Sequence, residues 1–385
     1  MHSELLRGWR LLHLSLIASF PAFLAVFFAP ALVDLVQDLE LSHGTGERTM
    51  AIYFLGYAIG TLVYGPLSDR IGRKPTILIG FCATFLFTLL ALWAGNTGRE
   101  ALFFTLRALQ GVAGSCGMVA LFMISDIHDH KHTARAIFSL LILFAIALGV
   151  GSFLGGIITN SWGWGGILVA IACYAAVQFL CAFSLPETVR DHETTQSLTS
   201  QAIDPFMLLY GVVAGLSTSL IYLFVSLAPH LSEEIQISAS AYGLFSIIPF
   251  CGLLIGLGFS HHYKQMPRIS LLSGIFYSLL GCITMQVFFV NEMVNIYTLF
   301  LLGFVILIAP GVIYPKAVQV VLGETTHKSA AFAVFQFLNL LIPSIILFLT
   351  SLIPSSSMVL PLSSGFCTVI ALFVWFTLKA HHSKA

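Results

Sequence analysis

The chain has 385 residues, of which 58% are hydrophobic and only 9% charged, with a mean hydropathy of +0.94. Soluble domains carry roughly 25% charged residues and could not hide this much apolar surface; the apolar runs are long and continuous, which excludes a membrane β-barrel and leaves an all-α membrane protein. The formal net charge is zero with no basic patch, so no nucleic-acid partner is expected and the lipid bilayer is the expected surrounding.

A membrane-spanning helix needs about 20 apolar residues. The first qualifying run, 9–30, follows Arg7, Trp9 and Arg10 and is too long for a signal-peptide core. Five more follow at 49–67, 75–95, 101–124, 135–159 and 164–185. Then comes the longest polar connector, PETVRDHETTQSLTSQAID at 186–204. Six further runs lie at 205–228, 241–260, 268–290, 296–321, 329–352 and 358–379. The expectation is 12 transmembrane helices in two pseudo-symmetric six-helix bundles, residues 1–185 and 205–385, joined by a linker at 186–204.

The basic residues orient the chain. Thirteen of the 17 Lys and Arg fall on the side of the termini, Arg48 and Arg99 on the other, and Arg107 and Lys316 within segments. By the positive-inside rule both termini are cytoplasmic. The seven cysteines all lie in apolar runs without CxxC spacing, so they read as small buried hydrophobes rather than bridges or metal ligands. The HDHKH stretch at 128–132 reads as a solvated loop, and no metal site or enzymatic motif is expected.

The two halves share a pattern. Ser68 and Pro75 follow the second segment, Ser260 and Pro267 follow the eighth, and the same shift of 192 residues superposes Gly60 on Gly252. Internal repeats of this kind are a common plan of secondary transporters.

YGPLSDRIGRKPTILIG, residues 64–80, concentrates four charges between two apolar runs. Gly65 and Gly72 are read as allowing close backbone approach, Pro66 and Pro75 as restricting the helix, and Asp69 as pairing with a base or a helix N-terminus. The stretch resembles the signature between helices two and three of the major facilitator superfamily. The matching residues are Gly65, Leu67, Asp69, Arg70, Gly72, Arg73 and Lys74. The resemblance implies the major facilitator fold and a conformational latch at the cytoplasmic gate.

Three further stretches are similar to the drug:proton antiporters of that superfamily. LRALQGVAGS at 106–115 matches their helix-four motif through Arg107, Gln110, Gly111 and Gly114. GSFLGG at 151–156 resembles their helix-five glycine motif through Gly151, Gly155 and Gly156, with Ser152 where proline is usual. SLPETV at 184–189 is similar to their exit from helix six. Together they look most like the bicyclomycin/chloramphenicol-resistance branch. That branch carries an acid four residues before the helix-one proline, where this chain has Val26 before Pro30; the nearest substitute is Asp34.

Polar groups inside membrane segments are functional candidates by default. Arg107, Gln110, Asp34 and Lys316 are candidates for substrate binding or coupling, with a solvated helix-end carboxylate as the competing reading of Asp34 and snorkelling to the interface that of Lys316. His13 reads as an inner-leaflet residue. Tyr53, Tyr57, Tyr210, Tyr222, Gln336 and Asn339 are expected to line a mostly apolar cavity. The expected function is a secondary active transporter of the inner membrane, working as a monomer on a small-molecule substrate by alternating access. It has no cofactor beyond proton coupling, and export in the manner of drug:proton antiport is the leading reading. The alternative is an organic-anion transporter, for a carboxylate or siderophore-like solute, that does not use a helix-one carboxylate.

Overall fold

The computed structural model describes residues 9–42, 44–127, 130–188, 205–263, 267–324, 328–354 and 357–382. Most of the expected linker, at 189–204, lies outside the described residues, as do His128 and Asp129 of the histidine-rich stretch and Arg7, Arg190, Lys264 and Lys384 of the charge census.

Helix α1 runs Trp9–Phe28, tightens into a 3-10 turn at Ala29–Ala31 around Pro30, and resumes as Leu32–Asp38. α2 is Thr45–Ile71 and α3 Arg73–Asn96. α4 is Glu100–Gly114, continued through a 3-10 turn, Ser115–Met118, into Val119–Ile127. One helical run, His130–Ala182, holds both α5 and α6, and Gly163 divides it with a φ of 62° and a ψ of −167°. Gly151 packs on Phe23, and so does Tyr174 on the far side of Gly163. The chain therefore doubles back at Gly163, a conformation that glycine adopts at little cost. The second half comprises α7 (Pro205–Glu234), α8 (Ala239–Phe245 and Ile247–His262), α9 (Pro267–Val290), α10 (Ile296–Glu324), α11 (Lys328–Thr350) and α12 (Val359–His382). Counting α5–α6 as one run, 11 helices among the described residues are long and apolar enough to cross a membrane; the turn at Gly163 makes them twelve crossings in two six-helix bundles.

α1 begins and α12 ends at one face, called here the terminal face. Large apolar side chains cover the outside of the bundles, including Leu180 at 68% and Phe373 at 70% exposure. A lipid-facing surface accounts for this. Four of the seven cysteines, Cys82, Cys173, Cys181 and Cys251, are exposed there, which corrects the expectation that all seven are buried.

Inside each bundle, helices meet where a side chain is absent, because apolar attraction alone does not pull helices together in lipid. Gly60 of α2 sits against the Val112 carbonyl of α4, and Gly252 of α8 against the Phe304 carbonyl of α10. The 192-residue shift relates both partners of this contact, so the repeat seen in sequence is a repeat in packing.

Helix limits differ from expectation at the ends. α2 starts at Thr45, behind Gly44 with its φ of 79°, and so takes in Glu47. Glu47 is 8% exposed, whereas the sequence placed it in a loop. α5 begins at His130, so the last three residues of HDHKH belong to a helix rather than a loop.

Candidate functional site

The first bundle is built around Arg107. It lies about 10 Å along α4 from that helix's start and is 0% exposed. Its Nη1 donates to Gln110 Oε1 one turn on. Gln110 Nε2 donates to Thr88 Oγ1 of α3 at 2.6 Å, and Thr88 Oγ1 to the Thr84 carbonyl at 2.6 Å. The guanidinium lies 4.1 Å from the Phe28 ring centre and 5.0 Å from that of Tyr53. Tyr53 is fixed in turn by its hydroxyl, which donates to the Pro21 carbonyl at 2.6 Å. Aromatic faces offset part of the cost of a buried cation. Yet Arg107 Nε and Nη2 have no acceptor among the described residues. Two buried, unpaired donors of a cation that stays charged are expensive, so the site is chemically poised for an acceptor group. Thr88 and Phe28 were not anticipated; the trace in sequence is the Thr84–Thr88 pair, one turn apart in an otherwise apolar run.

A second polar layer faces it from the other bundle. Gln336 Oε1 accepts from the Tyr314 hydroxyl at 3.1 Å and from Asn339 Nδ2 at 3.3 Å. Thr218 of α7 donates to Asn339 Oδ1 at 2.7 Å. Tyr222 joins the bundles by packing on Phe54 of α2, with ring centres 3.9 Å apart, and Tyr57 lies one turn below Phe54. The structure thus gathers Tyr53, Tyr57, Tyr222, Gln336 and Asn339 at mid-depth and adds Thr218 and Tyr314, all of them neutral.

Three candidates lie elsewhere. Tyr210 belongs to an apolar cluster nearer the terminal face with Met118, Phe122 and Phe335. Lys316 Nζ donates to the Tyr263 carbonyl at 3.1 Å and lies 3.4 Å from Gln319 Oε1. It therefore caps the end of α8 instead of joining Arg107. Asp34 is half-buried near the opposite face, close to Asp38 and Glu233, two turns beyond the fully buried, apolar Val26. His13 is 7% exposed and faces Gln178 of α6.

At the terminal face the charged stretch forms a knot within the first bundle. Gly72, with a φ of 99°, separates α2 from α3 and leaves the first amides of α3 bare. The Glu187 carboxylate accepts them both, Arg73 N at 2.9 Å and Lys74 N at 3.1 Å, as a helix N-terminus favours. Arg73 donates to Asp69 at 2.5 Å, to Ser68 at 2.6 Å and to Asp126 of α4 at 3.0 Å, while stacking over Phe122 at 5.2 Å. Lys74 Nζ reaches the Phe183 carbonyl at 2.6 Å. Asp126, Glu187 and the α6 exit thus complete the latch, while Arg70 is exposed. A Cβ at Gly65 would meet nothing within 4 Å, so close approach is not its reason there, in contrast to the reading from sequence.

The bundles are bonded to one another at the opposite face. Ser344 Oγ of α11 donates to the Ala51 carbonyl at 2.7 Å, and Gln37 to Glu233. The helix-five glycines let α5 pack on α1 and on α8. Gly151 and Gly155 admit Phe23 and the Phe27 carbonyl of α1, and Gly156 lies against Gly243 of α8. Ser152, the residue in place of proline, shares a 2.5 Å hydrogen bond with Ser246, where α8 is interrupted.

Residues 14–347 match the family model described as Major Facilitator Superfamily. The chain is 23% identical over 321 residues to Multidrug resistance protein D of Escherichia coli (strain K12), covering 80% of this chain and 79% of that protein. It is 27% identical over 180 residues to the Bicyclomycin resistance protein homolog of Haemophilus influenzae, where the match spans 46% of this chain and 44% of the relative. Among solved structures, the D-xylose-proton symporter superposes with a TM-score of 0.75 at 14% identity, over 94% of this chain and 97% of that one, a likeness of fold alone. Fold, repeat, latch and family model agree: this chain belongs to the Major Facilitator Superfamily of multi-pass membrane transporters.

Proposed function

We propose that the protein exports small organic molecules across the inner membrane in exchange for protons, by alternating access between its two bundles and with both termini in the cytoplasm. The resistance proteins to which it is similar support the substrate class, and the helix-four and helix-five motifs support the mode. The observation that carries the reading is Arg107, a buried cation with two unused donors inside the first bundle, opposite a neutral polar layer in the second. The bonds between the bundles at the opposite face supply the outer gate, closed in this arrangement, and the latch at Arg73 fixes the first bundle's terminal face.

The same observation favours solutes with acceptor groups. Among the described residues no carboxylate forms an ion pair with Arg107, and Val26 stands where the related antiporters carry an acid. Expression in a drug-sensitive bacterium is expected to lower the accumulation of neutral aromatic antibiotics at least about tenfold more than that of lipophilic cations, the equivalent of about 1.4 kcal/mol in recognition. Dissipating the proton gradient is expected to abolish the effect. Preferential export of cations would overturn this reading. Loss of organic anions alone, indifferent to the proton gradient, would install the second reading, an anion transporter.

A further inference from the structure

Among the described residues, the outer gate contains one ion-pair contact between titratable side chains that spans the two bundles. Glu47 is in the first turn of α2, and His230 lies near the end of α7. His230 Nε2 is 3.9 Å from Glu47 Oε1, with the side chains 29% and 10% exposed. The approach is built into the backbone. Gly46 lies beneath the imidazole, and a Cβ there would be 2.7 Å from Nε2. A side chain at 46 would force the imidazole to shift.

We propose that Glu47 and His230 form a proton-responsive clasp that favours closure of the outer gate when the outer compartment is acidic. The sign follows from the charges. Imidazolium and carboxylate attract, so protonating His230 ties α7 to α2; losing that proton leaves a neutral ring beside Glu47 and weakens the tie. The neighbouring elements point the same way. α1 contributes Asp34 and Asp38 to this face, and α7 contributes Glu233 and Glu234. Arg48 of α2 is the opposing charge on that helix. Glu233 is engaged by Gln37, Asp38 accepts from Trp164 Nε1 at 3.1 Å, and Glu47 is the carboxylate within 4.0 Å of the imidazole. α11 and the residue after it border the start of α2 through Ser344 and Ser351 and bring no charge there. This control on the gate is separate from Arg107 and the polar layer at mid-depth, and it shares its face with Asp34.

The test measures opening directly, without transport. Spin labels at Thr97→Cys and Asn291→Cys, exposed at the outer ends of the two bundles, report the gap in nanodiscs once the native cysteines are replaced by serine. Lowering the pH from about 8 to about 5, where histidine changes charge, is expected to raise the closed-to-open ratio at least about fivefold, the lower end of typical site coupling. His230→Gln and Glu47→Gln are each expected to remove that response, and His230→Lys to hold the gate closed at both pH values. A wild-type gap indifferent to pH, or a response that survives in both neutral variants, would overturn the clasp.

Discussion

Replacing Arg107 with methionine is expected to abolish transport while leaving the protein as stable as before or more so. The two effects separate because the side chain is poorly satisfied where it sits. Its guanidinium is held by Gln110 and two aromatic faces, and its Nε and Nη2 are buried without acceptors. A methionine keeps most of the volume between Phe28 and Tyr53 and removes the unpaired charge. Removing a buried charge that lacks a counter-charge offsets the loss of the hydrogen bond to Gln110, so stability is expected to hold or rise. A residue kept at that cost is kept for what it does, so transport should fall at least about a hundredfold, a loss of about 2.7 kcal/mol in the rate-limiting state. Arg107→Lys keeps the charge but loses the planar fork to Gln110, and is expected to recover only a small part of the activity. Melting temperatures in detergent, set beside flux in proteoliposomes, check both halves. A methionine variant that melts well below the wild type would make Arg107 a structural residue.

The second large effect is expected at Arg73. One guanidinium ties Asp69 and Ser68 of α2 to Asp126 of α4 and lies over Phe122. Arg73→Ala breaks three bonds together and leaves Asp126 with Thr188 as its remaining partner at 3.2 Å. The carboxylates keep some water contact, with side-chain exposures of 42% for Asp69 and 25% for Asp126. The cost is therefore set below the 3–5 kcal/mol of a fully buried pair, at about 1–3 kcal/mol. Transport is expected to fall at least about tenfold, because the joint between α2 and α3 loses its fixed geometry. Glu187→Gln, which retains one acceptor oxygen at the α3 amides, is expected to cost less. Flux and thermal stability of Arg73→Ala, Arg73→Lys and Glu187→Gln should rank in that order of damage, the alanine worst. Equal flux in all three would remove the latch from the mechanism.

Much of this architecture was legible in sequence because membrane burial is written as length and hydropathy. The twelve runs, the 192-residue repeat and the Gly60–Gly252 correspondence needed no side-chain geometry. The latch was half legible. Its bases and Asp69 are contiguous, whereas Asp126 and Glu187 arrive from 53 and 114 residues away, and although SLPETV reads as an exit motif, nothing local marks either acid as a partner of Arg73. Helix ends were the weak point. Glu47 lies among polar residues and reads as loop, yet Gly44 starts α2 early enough to bury it. Lys316 shows a different limit. An intramembrane lysine looks functional from sequence, but its reach to the Tyr263 carbonyl at the end of α8 depends on how α10 crosses α8. Tyr210 and Tyr222 share a helix and look equivalent as tyrosines; twelve residues of α7 put them at different depths.

The measurement that tests the central claim most directly is proton movement in proteoliposomes with a trapped pH dye, driven by an imposed gradient of a neutral aromatic antibiotic. Exchange predicts that substrate leaving down its gradient draws protons the other way, that Arg107→Met eliminates both fluxes, and that Asp34→Asn eliminates the proton flux if that carboxylate stands in for the acid absent at Val26. Substrate flux with no change in the trapped dye, confined to organic anions and lost in Arg107→Met, would contradict proton antiport and make the protein an anion carrier.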